Sequence, residues 1–382
     1  MKKPLIVLLS DLHPEYSLGG GQNIAYEYFE SMIKSGLNAE FWYTKPDKEK
    51  KRSNRTKQEI QIYSPSISNN ISFKIKHLIG GTELIKFIWL IILKKPSNVW
   101  IHQIGNHWPM VIIPILKLWR IHTTVTLHDF SILSRYKIQP ISNSVIKLSN
   151  LKDLKLTFYQ RIRFHIFRFC VNSSTVCVAL SELQKDILSS FGVKISHLIP
   201  NGVSTCNHNY KPIENHQKNT RSILFAGRAN LKGLDVLIQS ISNSNFPWVL
   251  HLAGSSDLLT YVEKMGITNY KYYGIITRDE VSKLIHQMDL VFACSQCFDV
   301  YPTICLEALR HKTPFITTNI SGTAQIYSSK IASNLVFNVG TVPDLDRVFD
   351  YISQNYHEII NEEIKIPDTT EVYSEYLRLL KL

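Results

Sequence analysis

The sequence has no apolar run near the ~20 residues that a membrane-crossing helix needs. Its longest, residues 87–93, is closed off by Lys86 and Lys94. Charged residues are sparse at 19%, and 16 Gly and 15 Pro in 382 residues leave no Gly/Pro-rich or low-complexity tract. A disordered, collagen-like or coiled-coil chain is excluded. The six cysteines are too scattered for a disulfide framework and read as small buried hydrophobes of a reducing compartment. Cys294 and Cys297 form a C-x-x-C, with Cys305 and His311 beyond. A zinc site would ordinarily take two such knuckles, and this segment has a second reading below. Lys2 and Lys3 precede an apolar stretch at residues 5–10 that stops at Asp11. This is short for the core of a signal peptide. It reads as a first buried strand, which places the protein in the cytoplasm.

What is present is a globular composition, 44% hydrophobic and 11% aromatic, long enough for two domains. Its charge is lopsided. Residues 1–200 hold 27 Lys/Arg against 13 Asp/Glu, and residues 201–382 hold 16 against 18. A basic surface of this kind attracts polyanions, either nucleic acid or an anionic membrane face. No zinc finger or aromatic-rich RNA-binding signature is present, so nucleic acid is set aside. Residues 147–168 mix Lys147, Lys152, Lys155, Arg161, Arg163 and Arg168 with apolar side chains. Both a membrane-surface helix and a solvated helix over a core fit that mixture.

Short apolar runs alternate with helix-like segments along the whole chain. Strands are expected near 5–10, 39–43, 99–103, 123–127, 176–180 and 197–199, then near 223–226, 249–253, 290–293 and 314–317. Helices are expected at 22–35, 181–191, 233–242, 278–288 and 304–311. Buried parallel strands read as such Val/Ile/Leu runs, and the alternation predicts an α/β chain with doubly wound sheets. Residues 45–58 are a charged loop. Residues 203–221 are polar and aperiodic and read as a linker. The expected division is 1–202, a linker at 203–221, 222–355, and a helical segment at 356–382 that packs back on the first domain.

Three motifs carry chemistry. Gly19–Gly21 follow the first strand and precede a helix. Glycines let backbone amides approach a phosphate at a helix N-terminus, although a plain strand-to-helix loop would look the same. In the second half a strand ends at Gly227, with Arg228 and Lys232 on the following loop. Two cations at a strand's C-terminal edge can grip a diphosphate; an ordinary basic loop fits the spacing as well. Asp299 and Glu307 stand eight apart, the first in a loop after a strand and the second in a helix beginning near Thr303. A carboxylate there can accept from a ribose diol, and the amides of Tyr301, Thr303 and Ile304 can face a diphosphate. His128 follows a strand in TVTLHDF. His102 and His107 follow an earlier one and read as structural.

Taken together these residues resemble the retaining glycosyltransferases of family 4. The family's E-x7-E is matched by Asp299 and Glu307, followed by Ala308, Leu309 and Pro314. Its G-R…K-G run is matched by Gly227, Arg228, Lys232 and Gly233, with three residues between Arg228 and Lys232 where the family pattern has four. GGGQNIAYEYF, TVTLHDF, VALSELQKDIL and IPNGV match, in the family's order, its glycine loop, its His-Asp strand end, its Ser-containing strand and the run before its hinge. Two departures stand out. Asp299 replaces the family's first Glu, and Arg310-His311-Lys312 stand where a Gly is usual.

The resemblance implies a GT-B fold, with two Rossmann-like domains facing each other across a cleft: the first binds acceptor, the second nucleotide-sugar. It implies that Arg228 and Lys232 neutralise the leaving diphosphate, and that Glu307 holds the ribose. Asp299 and His128 would touch the donor sugar. Gly20 and Gly21, with the amides of Tyr301, Thr303 and Ile304, would serve the phosphates. No metal or resident cofactor is implied. The expected activity is transfer of a sugar to a lipid-linked glycan of the bacterial surface, by an enzyme peripheral to the inner membrane face. Two alternatives share the fold: a non-catalytic glycan-binding or scaffold protein with a degenerate site, and a sugar-nucleotide 2-epimerase.

Overall fold

The computed structural model describes residues 3–16, 20–45, 56–63, 81–102, 107–130, 158–203, 220–227, 232–244, 247–327, 333–362, 364 and 366–381. The chain divides into two compact units. The first comprises described residues 3–130, 158–200 and 372–381, the second 201–371.

The first unit is a seven-stranded, all-parallel sheet. In chain order it runs β1 (Ile6–Leu12), α1 (Gly20–Lys34), β2 (Ala39–Lys45), β3 (Glu59–Tyr63), α2 (Thr82–Lys94), β4 (Asn98–Ile101) and α3 (Ile112–Leu118). It continues with β5 (His122–Thr126), α4 (Phe158–Val171), β6 (Val176–Ala179), α5 (Glu182–Ser190) and β7 (His197–Leu198). The strand order is β3-β2-β1-β4-β5-β6-β7. Direction of winding reverses between β1 and β4, which marks the switch point where doubly wound sheets bind ligands. β3 lies beyond the charged loop and has no long apolar run, so the sequence does not announce it.

The second unit repeats the plan. Its elements are β8 (Arg221–Gly227), α6 (Leu234–Asn243), β9 (Trp248–Gly254), α7 (Asp257–Lys264), β10 (Tyr270–Gly274), α8 (Arg278–His286) and β11 (Leu290–Ala293). Then come α9 (Thr303–Arg310), β12 (Phe315–Thr318), β13 (Val336–Phe337) and α10 (Val342–Asn361). The order is β10-β9-β8-β11-β12-β13, again all parallel, with its switch point between β8 and β11. The buried strand residues Ile223, Leu224, Phe225, Val291 and Phe292 form the centre of its core.

The division at the C-terminus differs from the sequence expectation. Residues 356–361 are the last turns of α10, bent at Asn355, and stay with the second unit. The Tyr356 hydroxyl donates to the Asp289 carbonyl at 2.9 Å, and Ile359 is in the core. Segment 201–203, which the sequence splits between domain and linker, pairs with 367–369 in the same unit: Val203 N donates to Pro367 O at 3.0 Å. Only from Val372 does the final helix, α11 (Thr369–Leu379), enter the first unit's core, beside α1. There Trp100 Nε1 donates to Thr126 Oγ1 at 3.0 Å, and that hydroxyl faces the Tyr376 hydroxyl at 3.4 Å. Residues 204–219 of the expected linker, 46–55 of the charged loop, and 147–157 lie outside the described residues.

Candidate functional site

The C-terminal edge of the second sheet is drawn tight by glycines. Gly254, at φ +147°, ends β9; a Cβ there would lie 1.9 Å from the Gly227 carbonyl at the end of β8. Gly233, at φ +77°, caps α6; a Cβ there would lie 2.4 Å from the Cys294 carbonyl after β11. Neither position accepts a side chain without backbone movement. The close approach brings Lys232, next to Gly233, against the loop that follows β11.

There Lys232 Nζ donates to Ser295 Oγ at 3.0 Å and to Asp299 Oδ2 at 2.8 Å, and Ser295 Oγ donates to the same carboxylate oxygen at 2.7 Å. Burial alone would lower the lysine's pKa, but the Asp299 charge and hydrogen bond hold it above its ordinary value. The ammonium is therefore permanent at neutral pH. Asp299 is fixed through its backbone as well. Its N–H donates to Ile320 O at 3.3 Å, and Gly322 N donates to its carbonyl at 2.8 Å.

Glu307 lies in the second turn of α9 and is buried. Its Oε1 accepts from Arg278 Nε at 3.0 Å. Arg278 opens α8, whose start is fixed by a capping box between Thr277 and Glu280. Thr303 and Ile304 occupy the first turn of α9, where amides have no acceptor within the helix. Tyr301 precedes it, and its carbonyl accepts from Asn201 Nδ2 at 3.5 Å. Burial pushes the Tyr301 hydroxyl well above its usual range.

The structure thus gathers Lys232, Asp299, Glu307, Tyr301, Thr303 and Ile304 at one sheet edge. Arg228 lies outside the described residues. Asp299 and Glu307 do not act on each other: each faces its own cation, Lys232 and Arg278. Sequence reading missed Ser295 and Arg278. The Thr277-x-x-Glu280 box was a visible signal for the second; nothing marked the first. Cys294 is buried and donates through sulfur to Ile316 O at 3.2 Å. Among the described residues no cluster of three or more His, Cys, Asp or Glu side chains could hold a metal.

The C-terminal edge of the first sheet has a different chemistry. Gly20 and Gly21 open α1. His102 Nδ1 lies 2.9 Å from His128 Nε2, with the rings stacked 5.1 Å apart. Burial pushes His128 down to about 4, and burial together with His128 pushes His102 well below its ordinary value. Both are neutral at pH 7. His102 Nε2 is buried without a partner. An unpaired lone pair costs less than an unpaired N–H, so His102 carries its proton on Nδ1 and gives it to His128 Nε2. His128 then holds its own proton on Nδ1, as a neutral donor. Next to this pair, Asp11 Oδ1 accepts the N–H groups of His107 and Trp108 at 3.2 Å each, while Oδ2 is buried and unpaired. Burial raises its pKa.

Residues 207–363 match the family model described as glycosyl transferases group 1. The chain is similar in fold to several solved structures. One is the lipopolysaccharide outer core galactosyltransferase WaaB in its apo form (16% identity, 99% of this chain and 100% of that chain covered, TM-score 0.68). Another is Anabaena HepE in complex with UDP and glucose (12% identity, 99% of each chain, TM-score 0.67). A third is a sucrose-phosphate synthase from Thermosynechococcus elongatus (12% identity, 99% and 98%, TM-score 0.73). No curated protein sequence matches the chain. Residues 207–363 are therefore similar to the glycosyl transferases of group 1, within a chain that has the two-sheet GT-B fold.

Proposed function

We propose that the protein is a retaining glycosyltransferase. It moves a sugar from a nucleoside-diphosphate donor to a lipid-linked glycan during synthesis of a bacterial surface polysaccharide such as O-antigen, capsule or lipopolysaccharide. It works in the cytoplasm, peripherally at the inner face of the membrane. The observation that carries this reading is the Lys232–Ser295–Asp299 cluster beside Arg278–Glu307, inside the family-matching residues.

In this reading two of the Lys232 protons are taken by Ser295 and Asp299, and the third goes to a diphosphate oxygen. Arg228 and the first-turn amides of α9 add to the same charge. Glu307, held by Arg278, accepts from the ribose hydroxyls. The anomeric C–O bond breaks with its electron pair passing to the diphosphate. The acceptor hydroxyl oxygen bonds to the same face of that carbon, and its proton passes to the departing phosphate oxygen. Stabilising the leaving charge and excluding water are then the protein's main tasks, with no protein nucleophile and no metal assigned a step. Asp299 and His128 Nδ1–H are assigned to sugar hydroxyls, and Gly20 and Gly21 to the phosphates. HepE was solved with UDP and with UDP-glucose, so UDP-sugars are the first donors to try.

A thermal-shift screen against UDP-, GDP-, ADP- and CMP-sugars tests the reading. A donor at 100 times its dissociation constant adds about 2.7 kcal/mol, a shift of a few degrees. One donor should stabilise the wild type and lose at least about tenfold in affinity with Lys232→Ala or Glu307→Gln. A chelator should leave the shift unchanged. No shift with any donor would overturn the reading in favour of a scaffold with a degenerate site.

A further inference from the structure

The outer surface of the first unit divides sharply. Phe87 of α2 packs against Trp42 of β2 at 5.9 Å and against Trp108 at 5.8 Å. Trp42 alternates with Phe41 and Tyr43, which point into the core beside α1, so α2 covers the opposite face of the sheet. The connections β4-α3-β5-α4-β6 step along the sheet in the direction opposite to β1-α1-β2. Right-handed crossovers therefore put α3 and α4 on the α2 side as well. The three helices form one layer.

The inner side of that layer is apolar, as a core requires: Phe87, Leu90, Ile91, Leu116 and Phe167 are buried. Its outer side is apolar too. Ile85, Trp89, Ile92 and Leu93 stand at helical spacing i, i+4, i+7 and i+8 and are all exposed, Trp89 at 57%. Leu118 is 79% exposed at the end of α3, with Trp119 beside it. Phe158 and Phe169 of α4 are 80% and 66% exposed. In all, nine of the thirteen large apolar side chains exposed among the described residues lie on these helices or at their ends. Isolated exposed apolar side chains are ordinary, but this concentration marks an interface.

Charge selects the occupant. Lys86, Lys117, Arg120 and Arg161 are exposed among these apolar groups. Lys94 pairs with Glu40 at 2.8 Å. The only carboxylate in the three helices is Glu83, which is buried and accepts from Gly81 N at 3.1 Å. A second copy of the chain would present the same cations and be repelled. An anionic bilayer supplies both apolar depth and negative headgroups.

We propose that the outer face of α2, α3 and α4 docks on anionic phospholipid: Trp89 and its neighbours enter the headgroup boundary, and the lysines and arginines bind the headgroups. The sequence points to residues 147–168 for this contact. Of these, 158–168 are part of α4, while the larger apolar stripe is on α2. The inference deepens the reading of a lipid-carried acceptor and rests on it only for its purpose, because vesicle binding and donor binding are measured separately.

The test is sedimentation of the full chain with vesicles of phosphatidylcholine alone or mixed with phosphatidylglycerol. Binding should favour the anionic vesicles by at least about tenfold at ~0.1 M salt. It should weaken without vanishing at ~1 M, where charges are screened beyond about 3 Å. Ile85→Ser, Trp89→Ser and Ile92→Ser together should lose about tenfold or more while keeping the wild-type melting temperature and donor shift. Lys86→Glu with Arg120→Glu should abolish the preference for anionic lipid. Equal binding to both vesicle types, or a triple variant that binds like wild type, would overturn the proposal. So would a dimer that the triple variant dissolves, with no vesicle binding by either protein.

Discussion

The two sheets are wound alike, yet their ligand-facing edges are built by different means. In the second unit, strand ends and helix starts are pressed together through glycines at positive φ, and the residues beside them are paired charges: Lys232 with Asp299, Arg278 with Glu307. In the first unit the edge is packed with rings. His102 lies against Trp100 at 4.4 Å and against His128 at 5.1 Å, and its polar groups are held neutral by burial. One architecture thus supports two electrostatic regimes. A charged edge of this kind suits a polyanion and, in the proposed reaction, its developing charge. A neutral edge offers directional hydrogen bonds without competing for that charge. Among the described residues the outward surfaces differ as well: the first unit combines exposed Trp, Ile and Phe with the exposed cations Lys86, Lys117, Arg120 and Arg161, whereas the second exposes Met265, Tyr273 and Ile275.

The sharpest way to break the comparison is at the glycines. Gly233→Ala must force a Cβ against the Cys294 carbonyl and place alanine in the left-handed region. The expected cost is about 2–4 kcal/mol, and Lys232 should be displaced with it. Gly266 has nearly the same φ, +71°, but nothing within 4 Å of a Cβ. Gly266→Ala should cost only about 1–2 kcal/mol and leave donor binding intact. Denaturant midpoints and donor thermal shifts of the two variants check this. Equal losses in both would mean that the close approach at the end of β11 does not matter.

That edge was also the most legible part of the sequence. Gly227 ends an apolar strand, Lys232, Gly233 and Asp299 follow such strands on loops, and Glu307 lies in the helix that comes next, so their spacing alone sends them to one sheet edge. The first edge was less legible. Asp11 looks like the end of a strand, and His102 like a core histidine. Their meaning comes from contacts across 26 residues or more: His102 with His128, and Asp11 with the amides of His107 and Trp108. β3, β10 and β13 escaped because they are short edge strands with no more than three consecutive apolar residues. The α2 stripe was visible only as seven apolar residues. Which of them face water depends on Phe87 and Leu90 turning inward. The doubly wound class, by contrast, followed from strand and helix alternation, which needs no tertiary information.

A smaller effect tests whether the first edge really prefers neutrality. Burial raises the pKa of Asp11, so the carboxyl is favoured in its protonated form in the folded state. Its contribution to stability is present below the ordinary carboxyl pKa and is lost as pH rises through the raised folded value. Asp11→Asn carries no charge at any pH. Its urea midpoint relative to wild type should therefore improve as the pH rises above the ordinary carboxyl range. A difference that stays constant over that rise would mean that Asp11 is as well solvated folded as unfolded.

The smallest expected change is in the histidine pair, where the outcome sharpens the contrast by showing nothing move. With His128 near 4 and burial together with His128 holding His102 well below its ordinary value, neither ring should gain a proton between about pH 5 and pH 8, although an unperturbed histidine titrates within that window. Nitrogen-correlated NMR of the ring protons should show both residues neutral and protonated on Nδ1 across the range. His102→Phe keeps a ring against Trp100 but removes the hydrogen bond to His128 Nε2. The His128 signal should then become a mixture of tautomers, while the melting temperature shifts by no more than a few degrees. The donor thermal shift should fall only modestly, because the charges of the second edge are untouched. A protonation step of either ring near pH 6.5 would instead show a charged first edge, and the distinction between the two edges would collapse to one of degree.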